Sequence, residues 1–247
     1  MKISIITVSY NSAAYIEQTI KSVVGQDYAD IEYMVIDGGS TDGTVAIIEK
    51  YRQHIQTFIS EKDNGIYDAL NKGIALATGD IIGILHSDDF YTNQTIISQV
   101  VDCFCETNTD IIYGDLMYVS RNNTDKIVRY WKAGNCNRHK LQFGWMPPHP
   151  TLFIKRNCYE QYGYFDTNFT IAADYDLILR LFWKHNLSYS YLPKVLIKMR
   201  VGGKSNRNLK NIFRKSKEDY RALQHNGVGG IISLIFKNLR KVHQFLK

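Results

Sequence analysis

Through the first 90 residues, short apolar runs rich in isoleucine and valine alternate with stretches whose apolar positions recur at helical spacing. Residues 3–8 form a β-branched run that reads as a buried strand. Ser9-Tyr10-Asn11-Ser12 breaks it, and Ile16, Ile20, Val23 and Val24 then mark a helix over 13–24, with Asn11 or Ser12 as its cap. The cycle repeats with a strand over 31–36, a turn-forming loop over 37–43, a helix over 44–51, a third strand at 58–60 and a helix over 66–77. A fourth, almost wholly apolar strand over 81–85 ends at His86-Ser87-Asp88-Asp89. This alternation predicts an α/β, Rossmann-like fold in which helices flank a mostly parallel central sheet. Ligands of such sheets bind at the carboxyl ends of strands. The polar loops after strands one, two and four therefore lie on the binding edge.

The second half is less regular. A strand over 111–118 pairs with one over 126–130, a proline-constrained loop over 143–150 leads into a strand over 151–154, and a helix covers 172–183. With 247 residues, 45% of them apolar, the chain can bury a sizeable core in one main domain with a C-terminal helical extension. We divide it into a donor-binding half over 1–100, an acceptor-binding half over 101–205 and a tail over 206–247. The net charge of +6 is segregated: residues 200–247 balance to +10 and the rest to −4. That distribution argues against a nucleic-acid-binding body. The cysteines at 103, 105, 136 and 158 form no CxxC pair, which suits a reducing compartment. No export segment or run long enough to span a bilayer is evident, so a cytoplasmic location is expected.

Asp88-Asp89 closes an apolar strand, and adjacent carboxylates call for a compensating cation. Their hard oxygens suit Mn²⁺ or Mg²⁺, which would also neutralise a diphosphate. The alternative makes them caps of a helix over 92–101, but their place on the binding edge favours metal. Asp37 opens Asp37-Gly38-Gly39-Ser40-Thr41-Asp42-Gly43, a turn that lets a ligand approach the backbone. Asp174 and Asp176 stand at a helix start, where acids partner the dipole; a carboxylate beside an acceptor hydroxyl would instead serve as general base. His149, held between Pro148 and Pro150, either binds phosphate or metal or packs within its loop.

Taken together, Ser4-Ile5-Ile6-Thr7-Val8-Ser9-Tyr10-Asn11, the Asp37–Gly43 turn, Asp63-Asn64-Gly65-Ile66-Tyr67-Asp68, Gly79-Asp80 and Asp88-Asp89 resemble glycosyltransferase family 2, enzymes of the A-type nucleotide-diphospho-sugar transferase fold. Gly65-Ile66-Tyr67-Asp68 and Pro148-His149-Pro150-Thr151 look like the branch making bacterial exopolysaccharide and O-antigen, similar to colanic-acid transferases. The resemblance implies nucleotide-sugar contacts at Thr7, Val8, Tyr10, Asp37, Asn64, Asp68, Asp88 and His149. It also implies a metal site at Asp88 and Asp89. Many relatives carry a second Asp at Gly38 and the first Asp of the metal motif at His86. Ala173-Asp174 matches a Glu-Asp pair whose Asp is the catalytic base, which assigns that role to Asp174, with Asp176 as the alternative. The implied reaction is inverting transfer from a UDP-sugar to a lipid-linked or free saccharide.

The tail adds a location. Ile231, Ile232, Leu234, Ile235, Phe236, Leu239, Val242, Phe245 and Leu246, interspersed with Lys237, Arg240, Lys241 and Lys247, read as a basic amphipathic helix. Such helices lie in anionic membrane interfaces, here the inner face of a plasma membrane; the alternative is packing onto the body. Two other functions stay open, a sugar nucleotidyltransferase and a non-catalytic binding domain. The loop after strand one lacks the glycines and basic residues that a triphosphate-binding loop needs.

Overall fold

The computed structural model describes residues 1–202 and 209–243. Four parallel strands, β1 (Ile3–Ser9), β2 (Ile31–Asp37), β3 (Thr57–Ser60) and β4 (Ile81–Ile84), form the first half, with β1 between β2 and β4. Every residue of β1 is buried, because helices cover both faces. Ile6 and Val8 face Leu70 and Ile74 of α3 (Ile66–Leu76), while Ile3 and Ile5 face Ile16, Ile20 and Val23 of α1 (Ile16–Val24). α2 (Thr44–Glu49) leads into a 3₁₀ turn before β3.

The sheet order is β3-β2-β1-β4-β8-β6-β9-β5, with β7 on β6. The later strands are β5 (Phe90–Tyr91), β6 (Ile111–Val119), β7 (Ile127–Trp131), β8 (Phe153–Lys155) and β9 (Tyr189–Arg200). Among the described residues only β5, β7 and β8 run against the others, so the expected mostly parallel sheet is present. The strand order reverses between β1 and β4, which opens a crevice at their carboxyl ends.

Boundaries differ from the sequence reading in ways that matter. The helix expected over 92–101 is α4 (Ile96–Thr107), and β5 intervenes, paired with β9. Asp88 and Asp89 therefore cap no helix. α1 begins at Ile16 without a side-chain cap; Asn11 instead takes a left-handed φ of 49°, and the Ser12 carbonyl accepts from the N–H groups of Tyr15 and Ile16.

The remaining helices are α5 (Arg138–Gln142), α6 (Arg156–Tyr162), α7 (Ala173–Ile178), α8 (Leu209–His225) and α9 (Ile231–His243). α7 runs on into a π-helical turn over Leu179–Lys184. α8 packs across α7, and Ala222, Leu223 and Val228 are fully buried. A buried ion pair between Lys237 and Asp219 (2.7 Å) joins α9 to α8, with the Lys237 ammonium over the Tyr175 ring. The division placed at 205/206 is thus crossed by close packing. Phe245, Leu246 and Lys247 of the expected tail helix lie outside the described residues.

Glu32 bolts the edge opposite the crevice. Its carboxylate accepts from Ser4 Oγ on β1, from Thr78 N and Oγ1 ahead of β4, and from Lys2 Nζ. Burial opposes its charge, but these donors outweigh burial and hold the carboxyl at about 2 against an ordinary 4.5. A depressed carboxyl stabilises above its unfolded pKa, and the contribution fades as the pH falls from 4.5 towards 2. Glu32→Gln is expected to cost about 2–3 kcal/mol at neutral pH, a deficit that shrinks across that window in parallel thermal melts. A deficit independent of pH would assign the effect to shape rather than charge.

Candidate functional site

The carboxyl ends of β1, β2 and β4 open into a cleft of about 2290 Å³, closed on its far side by residues of the second half and of α8 and α9. Val8, near the end of β1, and Tyr10, just after it, line the cleft, with Tyr10 half exposed. Thr7 does not. Its side chain is fully buried and accepts from the Tyr33 hydroxyl (3.2 Å), because alternation along β1 turns it away from the cleft.

Asp37 is likewise displaced from its expected role. Oδ1 accepts from Ser9 Oγ (2.9 Å) and Ser40 Oγ (2.5 Å), and Oδ2 from the N–H groups of Gly39 and Ser40 and from Ser60 Oγ. Burial raises this carboxyl, yet the hydroxyl and N–H donors more than offset it and hold it below its ordinary value. With five donors on a fully buried carboxylate, no acceptor remains for a nucleobase. The carboxylate that does line the cleft here is Asp63, whose Oδ1 accepts from Gly65 N (2.9 Å). A Cβ at Gly38 would collide with the Asp63 carboxylate. The absence of a side chain at 38 is thus what lets Asp63 reach in, and the sequence reading, which quoted both motifs, missed that they meet. Asn64 and Asp68 line no part of the cleft; Asn64 N donates to Asp68 Oδ2, which also faces Lys72 at 3.6 Å, so the pair shapes the start of α3.

Asp88 and Asp89 occupy the turn after β4 and both line the cleft. Asp88 is partly buried, and burial raises its pKa against the pull of Arg200 and Arg121. Asp89 is 1% exposed, and among the described residues neither of its oxygens has a side-chain hydrogen-bond partner. Burial and then the Asp88 charge push its pKa well up, with Arg200 offsetting only part. Arg200, from the end of β9, donates to the Asp88 carbonyl and to Gln18, and its guanidinium lies between the rings of Tyr15 and Phe90. Orphaned, hard oxygens next to a second carboxylate fit a divalent cation whose other ligands are phosphate oxygens and water. Among the described residues no cluster of three or more His, Cys, Asp or Glu stands ready to hold a metal by itself. His86 adds nothing cationic, since burial, with His149 alongside, lowers it to about 4.

Across the cleft, Asp174 faces His149, with Nδ1 3.2 Å from Oδ2. The Tyr67 hydroxyl donates to the Ile171 carbonyl (2.8 Å) and lies 3.3 Å from Asp174 Oδ1. Burial opposes the Asp174 charge, but His149, Lys237 and Lys215 outweigh burial and keep its pKa below the ordinary value. His149 itself is lowered by burial, against the pull of Asp174, so at neutral pH it is an uncharged ring whose Nδ1–H donates. Asp176 is excluded as the alternative base. It is fully buried and held by Asn226 Nδ2 (2.8 Å), His225 (3.1 Å) and Arg180 (3.3 Å), away from the cleft. The loop leading into α7, whose first turn carries Asp174, is fixed by Glu218 of α8, whose Oε2 accepts from the N–H groups of Thr170, Ile171 and Ala172.

The sequence profile of Glycosyl transferase family 2 matches residues 4–171, from β1 to the edge of α7. The chain belongs to that family. It is 33% identical over 183 residues to an uncharacterised glycosyltransferase of Mycobacterium tuberculosis, covering 72% of this chain and 68% of the relative. A PGL/p-HBAD biosynthesis glycosyltransferase of Mycobacterium bovis is 29% identical over 217 residues, covering 86% and 82%. Among solved structures, Staphylococcus aureus TarS with UDP-GlcNAc superposes with a TM-score of 0.71 at 20% identity, covering 92% of this chain and 66% of that one. The mannosyltransferase PcManGT of Pyrobaculum calidifontis, with GDP-Man and Mn²⁺, gives 0.67 at 20% identity, covering 91% and 63%. These superpositions show the A-type glycosyltransferase fold. The family 2 profile stops at residue 171, so α8, whose Glu218 holds the Asp174 loop, lies outside the matched region.

Replacing Asp37 and Asp63 in turn separates a scaffold carboxylate from one that faces the cleft. Asp37→Ala is expected to destabilise the fold by about 2–4 kcal/mol, since buried donors lose their partner. Asp63→Ala should stay within about 0.5 kcal/mol while weakening nucleotide binding roughly tenfold, the value of one hydrogen bond to a charged group. Thermal unfolding with and without UDP reads both, and the opposite ranking would return base recognition to Asp37.

Proposed function

We propose that this family 2 glycosyltransferase moves a sugar with inversion from a UDP-sugar to a hydroxyl of a saccharide acceptor, free or lipid-linked, in the building of a bacterial surface polysaccharide. One observation carries the reading: a charged, buried Asp174 and an acidic turn at Asp88-Asp89 that Arg200 and Arg121 compensate only in part face the same cleft. The nucleoside would lie over Val8 and Tyr10, with Asp63 accepting from the base N–H. Asp88 and Asp89 would hold Mn²⁺ or Mg²⁺, which when bound supplies Lewis-acid neutralisation of the diphosphate oxygens. The mannosyltransferase neighbour with Mn²⁺ supports that cofactor, and the TarS complex with UDP-GlcNAc supports the donor class.

Asp174 takes the proton from the acceptor hydroxyl while its oxygen attacks the anomeric carbon. The bond from that carbon to the diphosphate oxygen breaks on the opposite face, so the configuration inverts. His149, donating from Nδ1, keeps Oδ2 of Asp174 oriented. Arg121 and Arg200 add positive charge where the leaving diphosphate gains negative charge.

Attachment to an anionic membrane from the cytoplasmic side fits the same reading. α9 leaves Ile231, Ile232, Ile235 and Phe236 exposed on a segment rich in basic residues. No helix among the described residues is long and apolar enough to cross a membrane.

Asp174→Asn is expected to lower turnover by about 10²–10⁴-fold with UDP affinity and melting temperature unchanged, as followed by UDP release in the presence of acceptor. Near-normal turnover would remove the base assignment. Chelation by EDTA should abolish release in the wild type, with Mn²⁺ restoring it; activity indifferent to chelation would remove the metal.

A further inference from the structure

His149 has one ring nitrogen to spare. Nδ1 donates to Asp174 Oδ2 at 3.2 Å, and a neutral imidazole that donates from Nδ1 carries a bare lone pair at Nε2. Burial lowers the His149 pKa against the pull of Asp174, and Lys215 of α8 adds to burial, so the ring is neutral at neutral pH. Among the described residues Nε2 makes no hydrogen bond, although the side chain is 32% exposed and lines the cleft. It can accept a hydrogen bond and donates none.

This nitrogen is held in place. His149 opens a 3₁₀ turn, His149–Thr151, between two prolines. The fully buried Thr151 hydroxyl lies 2.8 Å from the Pro148 carbonyl and 2.9 Å from the Gly114 carbonyl of β6, which fastens the turn to the sheet. His86 stands edge-on to the His149 ring at 5.7 Å between centroids, and it too is neutral. On the carboxylate side, the Tyr67 hydroxyl gives its proton to the Ile171 carbonyl at 2.8 Å, and Asp174 Oδ1, 3.3 Å away, keeps room for another donor. Two hydrogen-bond acceptors thus stand together, one charged and one neutral. A phosphate oxygen, itself without a proton, gains nothing from Nε2. Two hydroxyls on neighbouring carbons supply one donor to each.

We infer that His149 is a specificity-determining residue for the sugar acceptor: Nε2 accepts from the hydroxyl next to the one that Asp174 deprotonates, so the acceptor is a saccharide that presents a vicinal diol. The inference rests on the transfer reading above and adds which hydroxyl reacts, one whose neighbour on the adjacent carbon is free. A saccharide already substituted at that neighbour offers Nε2 no donor and is discriminated against, as in any site built to bind a substrate O–H.

The test is binding to the full chain saturated with UDP and Mg²⁺, followed by the NMR nitrogen resonance of His149 Nε2, which is assigned by its loss in His149→Asn. The probes are the cis and trans vicinal cyclohexanediols, the monomethyl ether of each and cyclohexanol. One diol is expected to shift the Nε2 resonance and to bind about tenfold more tightly than its ether or cyclohexanol, the value of one hydrogen bond. Asparagine sets an amide N–H where Nδ1 stands and nothing at Nε2. His149→Asn should therefore erase the preference for the diol with UDP affinity unchanged, whereas His149→Gln, whose amide oxygen can take the place of Nε2, should retain it. Diols bound no more tightly than their ethers, a preference that leaves the Nε2 resonance unmoved, or a preference that survives in His149→Asn would each overturn the assignment. If UDP with Mg²⁺ fails to bind, the donor reading is lost instead, and the same comparison without UDP still decides the role of His149.

Discussion

A carboxylate taken out of water keeps its charge only where donors or cations answer it, and the cleft is organised around that constraint. Asp37 is answered five times over by hydroxyls and N–H groups, and it becomes part of the scaffold. Asp174 is answered by one imidazole N–H and two nearby ammonium groups, enough to hold its charge and few enough to leave an oxygen for a substrate. Asp89 is answered only in part, by Arg200, and among the described residues no side-chain donor reaches its oxygens. Three acids of one type thus take three roles according to how completely each is satisfied, and the deficit at Asp89 is where an external cation has most to gain.

That gradation depends on loops held still from outside the cleft. At the edge away from it, Glu32 ties β1 and β2 to the turn before β4, so the carboxyl ends emerge in fixed register. At the far wall, Glu218 draws three consecutive N–H groups before α7 onto one oxygen, which fixes the loop bearing Asp174. Arg200 does the same for the acidic turn through the Asp88 carbonyl. Each anchor lies far in sequence from what it holds, and two of the three come from the last quarter of the chain. The C-terminal helices therefore act as the closing wall of the site.

The first half of the fold was legible because β-branched runs and helical spacing alternate there without interruption, and both faces of the sheet are covered. β9 and α8 were not. β9 carries Pro193 and two irregular registers against β6, which blur its period. The apolar residues of α8 are few, and its fixing contacts are polar. Asp88, Asp89, Asp174, His149, Val8 and Tyr10 all reach the cleft, since each ends or follows a strand or starts a helical turn on the binding edge. Thr7, Asp37, Asn64 and Asp68 do not, because a motif gives a position along the chain and says nothing of which way a side chain turns.

Gly38 and Asp63 show where that limit matters most. Many relatives carry an acid at the glycine's position, and read by position alone the base end of this cleft has lost half of its recognition. In space the gap is filled, since the Asp63 carboxylate stands where a side chain at 38 would begin. The two positions belong to different strands' loops, and an acid at both would force two carboxylates into one volume, which sterics forbid. Small at one and acidic at the other is a consistent solution, and the reverse pairing would be another. In this cleft the carboxylate at that point in space comes from the loop after β3, and the glycine of the loop after β2 makes room for it.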